Sequence, residues 1–169
     1  MHKQHDVRRI MIVVATSGIV AGCACNAPEP SPTVRAAVSE NLSLAADAMH
    51  KIEDAYFSGG MNGVKAAAGA WNSQNGGVGA TSTYVASVLI NDTSGEIVIT
   101  YSANLPEVSG KTLTLTPNMP IGTILAEGLK GQMQWACSST SNATAAVFYG
   151  FDVRNKGTVP SQYAPPPCQ

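Results

Sequence analysis

Charge is scarce in this chain: Asp, Glu, Lys and Arg make up 12% of its 169 residues, about half the share of an average soluble domain. The formal net charge is -1. Beyond the N-terminal stretch no run of Lys or Arg interleaves with aromatic rings, so the electrostatic footprint of a nucleic-acid binder is missing and no nucleic-acid partner is expected. Histidine is equally scarce. Outside the N-terminal stretch only His50 remains, beside Lys51, and the G-x-S-x-G turn of a serine hydrolase occurs nowhere. Gly110-Lys111-Thr112 has the look of the end of a phosphate-binding loop, but Leu105 stands where its leading glycine belongs, and the triplet opens a strand rather than a helix. Glu53 and Asp54 are adjacent and would diverge by about 100° on a helix, which suits solvation better than shared acid–base work. Catalytic residues, metal and cofactor are therefore all expected to be none.

A long hydrophobic run is missing as well. The apolar stretch Ile10 to Gly22 falls short of the roughly 20 residues that a helix needs to cross about 30 Å of hydrocarbon. Behind the basic Lys3, Arg8 and Arg9 it reads as an export segment. Val20-Ala21-Gly22-Cys23 has the shape of a lipoprotein cleavage box, which makes Cys23 a lipidation candidate, with a plain signal sequence as the alternative. In NAPEPSP, Pro28, Pro30 and Pro32 alternate and favour an extended linker. Residues 1–32 thus form an export or membrane segment with a Pro-rich linker, and residues 33–169 a single globular domain.

What is present is organised in two periods. From Thr33, Val34, Val38, Leu42, Ala45, Met49, Ile52 and Tyr56 recur at steps of three and four, giving one helix with a continuous apolar face. Ser31 is placed to cap it with Pro32 at its first position, and Gly59-Gly60 to end it. Packing on the chain's own domain accounts for that stripe. Residues 61–81 carry several glycines and no sustained period, so a long loop is expected, with at most a helical turn at 64–70. Then the period switches to two. TYVASVLIN and GEIVITYSA flank the turn NDTSG as a hairpin. GKTLTLTPN sets Leu113 and Leu115 against Thr112, Thr114 and Thr116, a half-buried strand, and GQMQWACSS sends Trp135 and Cys137 the same way. A helix across one face of a four-stranded antiparallel sheet is an α+β architecture.

Cys137 ends the last strand and Cys168 sits one residue from the C-terminus. In an exported and oxidising setting a disulfide is the leading assignment. A metal site would want further thiolates or imidazoles at ligand spacing, which Cys23, Cys25, His2, His5 and His50 do not supply. The interval between the two cysteines looks unable to bury a core of its own, so the bond is expected to pin the tail to the sheet. Asn41, Asn91 and Asn142 each open an N-x-S/T pattern, which Ser/Thr-rich sequence also produces by chance.

TVRAAVSENLSLA in the helix, GEIVITYSA and GKTLTLTP in the sheet, and QWAC with VPSQYAPPPC at the tail resemble, in order and spacing, the type IV pilins, subunits of bacterial adhesion and motility filaments. The resemblance spans roughly residues 33–169. It implies a pilin fold: a helical spine, a connecting loop, a four-stranded antiparallel sheet and a C-terminal region looped by a disulfide, here Cys137–Cys168. It further implies homo-oligomeric assembly with other pilin subunits, with the Val34–Tyr56 stripe as the assembly helix face, and a looped region turned outward to a host or surface receptor. An inner-membrane pool would precede assembly, and the final location would be the pilus at the cell surface. Met11-Ile12-Val13-Val14-Ala15 echoes the family's hydrophobic segment, whereas Arg9, His5 and Gln4 stand where the family has glutamate, phenylalanine and glycine. These departures favour the alternative of an exported monomeric lipoprotein or envelope domain that binds a ligand or protein through the 61–81 loop or the tail.

Overall fold

Pro32 opens the first helix, α1 (Pro32–Glu40), where a missing N–H costs nothing. The structure is a computed structural model that describes residues 32–169. The export segment, the lipidation candidate Cys23, the linker and the expected Ser31 cap lie outside the described residues. α1 leads into α2 (Ser43–Asn72) through a tightened turn at Asn41 and Leu42, in which the Leu42 amide reaches back to the Ser39 carbonyl (3.2 Å). The one unbroken helix expected from the stripe is therefore two. The break has a physical cause: buried Asn41 donates its side-chain amide to the Ala37 carbonyl (2.7 Å) and accepts from the Ser82 hydroxyl (2.7 Å), so its side chain competes with the helical ladder.

The apolar stripe does face inward. Val34, Val38, Ala45, Ile52 and Tyr56 are buried, while Leu42 and Met49 pack half-exposed at its margin. Full burial of a side chain such as Val38 or Ile52 contributes roughly 1.5–3 kcal/mol.

α2 does not stop at Gly59-Gly60. Both glycines leave helical geometry, Gly60 with φ 58, and the chain folds back into a second limb over 61–72. The limbs approach so closely that a methyl at Gly63 would collide with the Ala55 carbonyl. The Glu127 carboxylate accepts from the Met61 amide (2.8 Å) and caps the new limb, as an acid at a helix N-terminus should. The expected 61–81 loop is thus helical through Asn72. Its signal was Val64, Ala68 and Trp71, all buried at helical spacing, set among alanines and glycines that give little hydropathic contrast.

Four strands follow: β1 (Val85–Ile90), β2 (Ile97–Tyr101), β3 (Thr112–Asn118) and β4 (Gln134–Ser138). They form one antiparallel sheet in the order β1-β2-β3-β4. The register between β1 and β2 slips between Val85 and Ser87, a bulge that resets the alternation. That is why Val85 and Val88, three apart, are both buried. The outer edge of β1 is closed by α2 itself: Trp71 Nε1 donates to the Val88 carbonyl (2.8 Å), and the Asn72 amide both donates to the Ile90 carbonyl (2.7 Å) and accepts from its N–H (2.8 Å). Closing an edge in this way removes a template for unwanted pairing.

The helices cover one sheet face with Ile97, Ile99, Tyr101 and Leu113 beneath them. Tyr101 donates its hydroxyl to the Val38 carbonyl (3.0 Å), and burial pushes its phenol well above the usual value.

Candidate functional site

The tail begins where β4 ends. Cys137 pairs across the sheet with Leu115 and is bonded to Cys168 across a sequence separation of 31, with a Cα–Cα distance of 4.5 Å. That is within the range a disulfide spans without backbone distortion. Both cysteines are buried. Around the bond the Ser139 amide donates to the Cys168 carbonyl (3.0 Å) and the Thr144 amide to the Gln169 carbonyl (2.6 Å). At the far end Arg35 Nε and Nη2 both reach the Gln162 carbonyl (3.1 and 2.7 Å), tying the tail to α1.

The tail is not held by the disulfide alone. β3 was expected to be half-buried, yet every residue from Leu113 to Asn118 is buried. Residues 152–159 cross the face opposite the helices and cover the threonine side. Asn118 exchanges a pair of bonds with Asp152, donating Nδ2 to its carbonyl (2.9 Å) and accepting its N–H at Oδ1 (2.8 Å). The Thr114 and Ser138 hydroxyls both donate to the Asn155 carbonyl (2.6 and 3.2 Å). The Thr158 and Val159 amides converge on the Thr112 carbonyl (2.8 and 3.0 Å).

Glu96 lies at the centre of this set. Only 2% exposed, its carboxylate accepts from the Thr116 hydroxyl (3.1 Å) and from the Asn155 amide N–H (3.2 Å) and Nδ2 (2.7 Å). A buried carboxylate needs such donors to offset lost hydration. Gly157 sits so close to the Thr112 and Ser138 carbonyls that no side chain fits. Among the described residues no buried side-chain nitrogen or oxygen lacks a partner. The sequence held a signal for this strap: an all-hydroxyl strand face of Thr112, Thr114 and Thr116 offers donors to a covering backbone, where a solvated face would more often carry charge.

Between disulfide and strap the chain projects outward. A single π-helical turn at Thr144–Phe148 presents Val147 and Phe148 at 76% and 79% exposure, followed by Tyr149 and, from the β3–β4 connection, Ile121, all exposed. Beside this projection lies a groove of about 290 Å³ lined by Gln134, Trp135, Cys137, Ala145, Tyr149, Phe151 and Pro167. The Tyr149 and Phe151 rings lie 5.8 Å apart at 30°. Trp135 donates its indole N–H to Glu53 (2.9 Å), which gives one of the two neighbouring helix carboxylates a structural role; Asp54 and His50 are exposed. Contiguous exposed apolar surface of this kind marks a place of contact. Among the described residues no cluster of His, Cys, Asp or Glu is placed to hold a metal, and no helix is long and apolar enough to cross a membrane.

An α-helical spine laid on a four-stranded antiparallel sheet, with a disulfide-closed tail strapped behind it, defines a filament-subunit fold. The family model described as Pilin (bacterial filament) matches residues 34–169, and the chain belongs to that family. Its fold is similar to a crystal structure of a Pseudomonas aeruginosa type IV pilin, with 39% sequence identity and a TM-score of 0.72. That match covers 81% of this chain and 98% of the other. The fold is the type IV pilin fold.

Proposed function

We propose that this chain is a structural subunit of a type IV pilus and works by assembly rather than by turnover. The observation that carries the reading is the likeness, at 39% identity over nearly the whole of the compared chain, to a Pseudomonas aeruginosa type IV pilin. In this reading residues 1–32 export the chain and hold a membrane pool before assembly, and residues 33–169 form the globular head. The Val34–Tyr56 stripe serves assembly indirectly. It seats the helices on their own sheet, leaving the exposed helix surface, which includes Phe57, for neighbouring subunits. The tip around Val147 and Phe148 turns outward as the adhesive surface toward a receptor.

A second reading, an exported lipidated monomer, is favoured by Val20-Ala21-Gly22-Cys23, by the prolines that follow and by Arg9. A charged Arg9 among packed apolar helices would be costly without an acid beside it. Mass spectrometry of the mature N-terminus from the native host separates the two. Cleavage near Gln4 with an N-methylated first residue supports the pilus subunit. Cleavage before Cys23 with an attached lipid overturns it.

A further inference from the structure

The outward tip is anchored at two ends by different chemistry. Its N-terminal side leaves β4 beside the Cys137–Cys168 bond, with the Thr144 amide on the Gln169 carbonyl (2.6 Å). Its C-terminal side runs into the strap, where Asn118 grips Asp152 (2.8 and 2.9 Å) and Glu96 grips Asn155 through two donors (3.2 and 2.7 Å). Between them the tip closes on itself through a local bond, from the Phe151 amide to the Ala145 carbonyl (2.9 Å).

We infer that Glu96 is a positioning residue for the tip: its bonds to Asn155 hold the strap on the sheet and keep the Val147–Tyr149 projection in place whether or not the disulfide is closed. The physical case rests on where the bonds go. None of the strap contacts at Asn118, Glu96, Thr114 or Ser138 passes through Cys168. Opening the disulfide frees the last residues of the tail, but it returns no water to Glu96. That carboxylate, buried under the strap, would lose both Asn155 donors if the strap lifted and keep only the Thr116 hydroxyl of β3. Leaving a charged acceptor buried or unpaired is costly, so the strap stays down.

The inference extends the reading of the tip as the outward recognition surface. Its assay needs no receptor, so the two can fail separately. Amide hydrogen exchange is measured on the purified chain, oxidised and after reduction with dithiothreitol. For the native sequence, reduction should speed exchange at Thr144, whose acceptor is the Gln169 carbonyl in the released terminus, by tenfold or more. Exchange at Phe151, Asp152 and Asn155 should change less than threefold. In oxidised Glu96→Leu, which removes both acceptor oxygens, the pattern should invert: Asp152, Asn155 and Phe151 speed up by tenfold or more while Thr144 holds.

The double variant Glu96→Gln/Asn155→Asp exchanges donor and acceptor across the same pair and should recover at least half of the lost protection. A merely destabilised core would not do so. Should Glu96→Leu fold too poorly to measure, the surface change Asn155→Ala removes one of the three donors. It should raise exchange at Asn155 and Asp152 by threefold or more. Equal loss of protection at Asp152 and Thr144 on reduction of the native chain, or unchanged exchange at Asp152 in the variants, overturns the inference.

Discussion

Replacing both Cys137 and Cys168 by alanine isolates what the covalent closure contributes. Both side chains are buried, so alanine introduces no unpaired hydroxyl, and the strap bonds at Asn118, Glu96 and Thr112 remain available. The stabilisation lost is chiefly that of constraining the unfolded chain. For a separation of 31 residues the loop-entropy relation gives about 3.7 kcal/mol at 25 °C. Set against the 5–15 kcal/mol typical of a domain, this should move the unfolding midpoint markedly without preventing folding. Urea titrations of the oxidised parent and the double-alanine variant, followed by circular dichroism and tryptophan fluorescence, check the figure. The variant should fold, lose about 3–4 kcal/mol, and unfold with a somewhat larger denaturant slope because its unfolded chain is freer to expand. Coincident midpoints would refute the view that the bond acts through the unfolded state. Failure to fold at all would refute the view that the strap seats itself.

Burial holds Tyr101 protonated far above its ordinary range. The unfolded chain therefore sheds that proton near pH 10 while the folded chain keeps it, and stability should be whole below about pH 10 and fall as pH rises beyond it. Tyr101→Phe should flatten that alkaline fall in thermal melts, at a neutral-pH loss of about 1 kcal/mol for its bond to Val38. Ile52→Ala, at a fully buried point of the helix–sheet contact, should lower stability by about 2–5 kcal/mol in the same titrations. Gly157→Ala places a methyl against the Thr112 and Ser138 carbonyls and should cost more than about 1 kcal/mol while lifting the strap, read by exchange at Thr158. Phe148→Ser, at the exposed tip, should leave stability within about 0.5 kcal/mol yet abolish attachment of assembled filaments to the host's natural substratum.

Strand alternation made β3 and β4 legible because Leu113, Leu115, Trp135 and Cys137 mark one side so clearly. The same alternation misled on burial: period two says only that the threonines share a face, and the want of charge there, not the period, was the sign that residues 152–159 roof it. Local periodicity carries no information about a segment that arrives from forty residues away. The second limb of α2 was hidden for another reason. Alanine and glycine differ too little in hydropathy for Val64, Ala68 and Trp71 to stand out, and the Gly59-Gly60 break looked like an ending rather than a hinge between two limbs. The cysteine pair was legible from position and compartment alone. The Glu96 clasp was not, because a lone glutamate after a turn is ordinarily a solvated residue, and only the three-dimensional neighbourhood shows it at 2% exposure.

The most direct test of subunit assembly is to express the full chain in a pilus-forming cell deleted for its own major pilin. The sheared surface fraction is then examined by electron microscopy and peptide mass spectrometry. Thin filaments whose dominant protein is this chain are predicted. A bare surface, with the chain recovered only as a lipid-bearing monomer in the membrane fraction, would contradict the account.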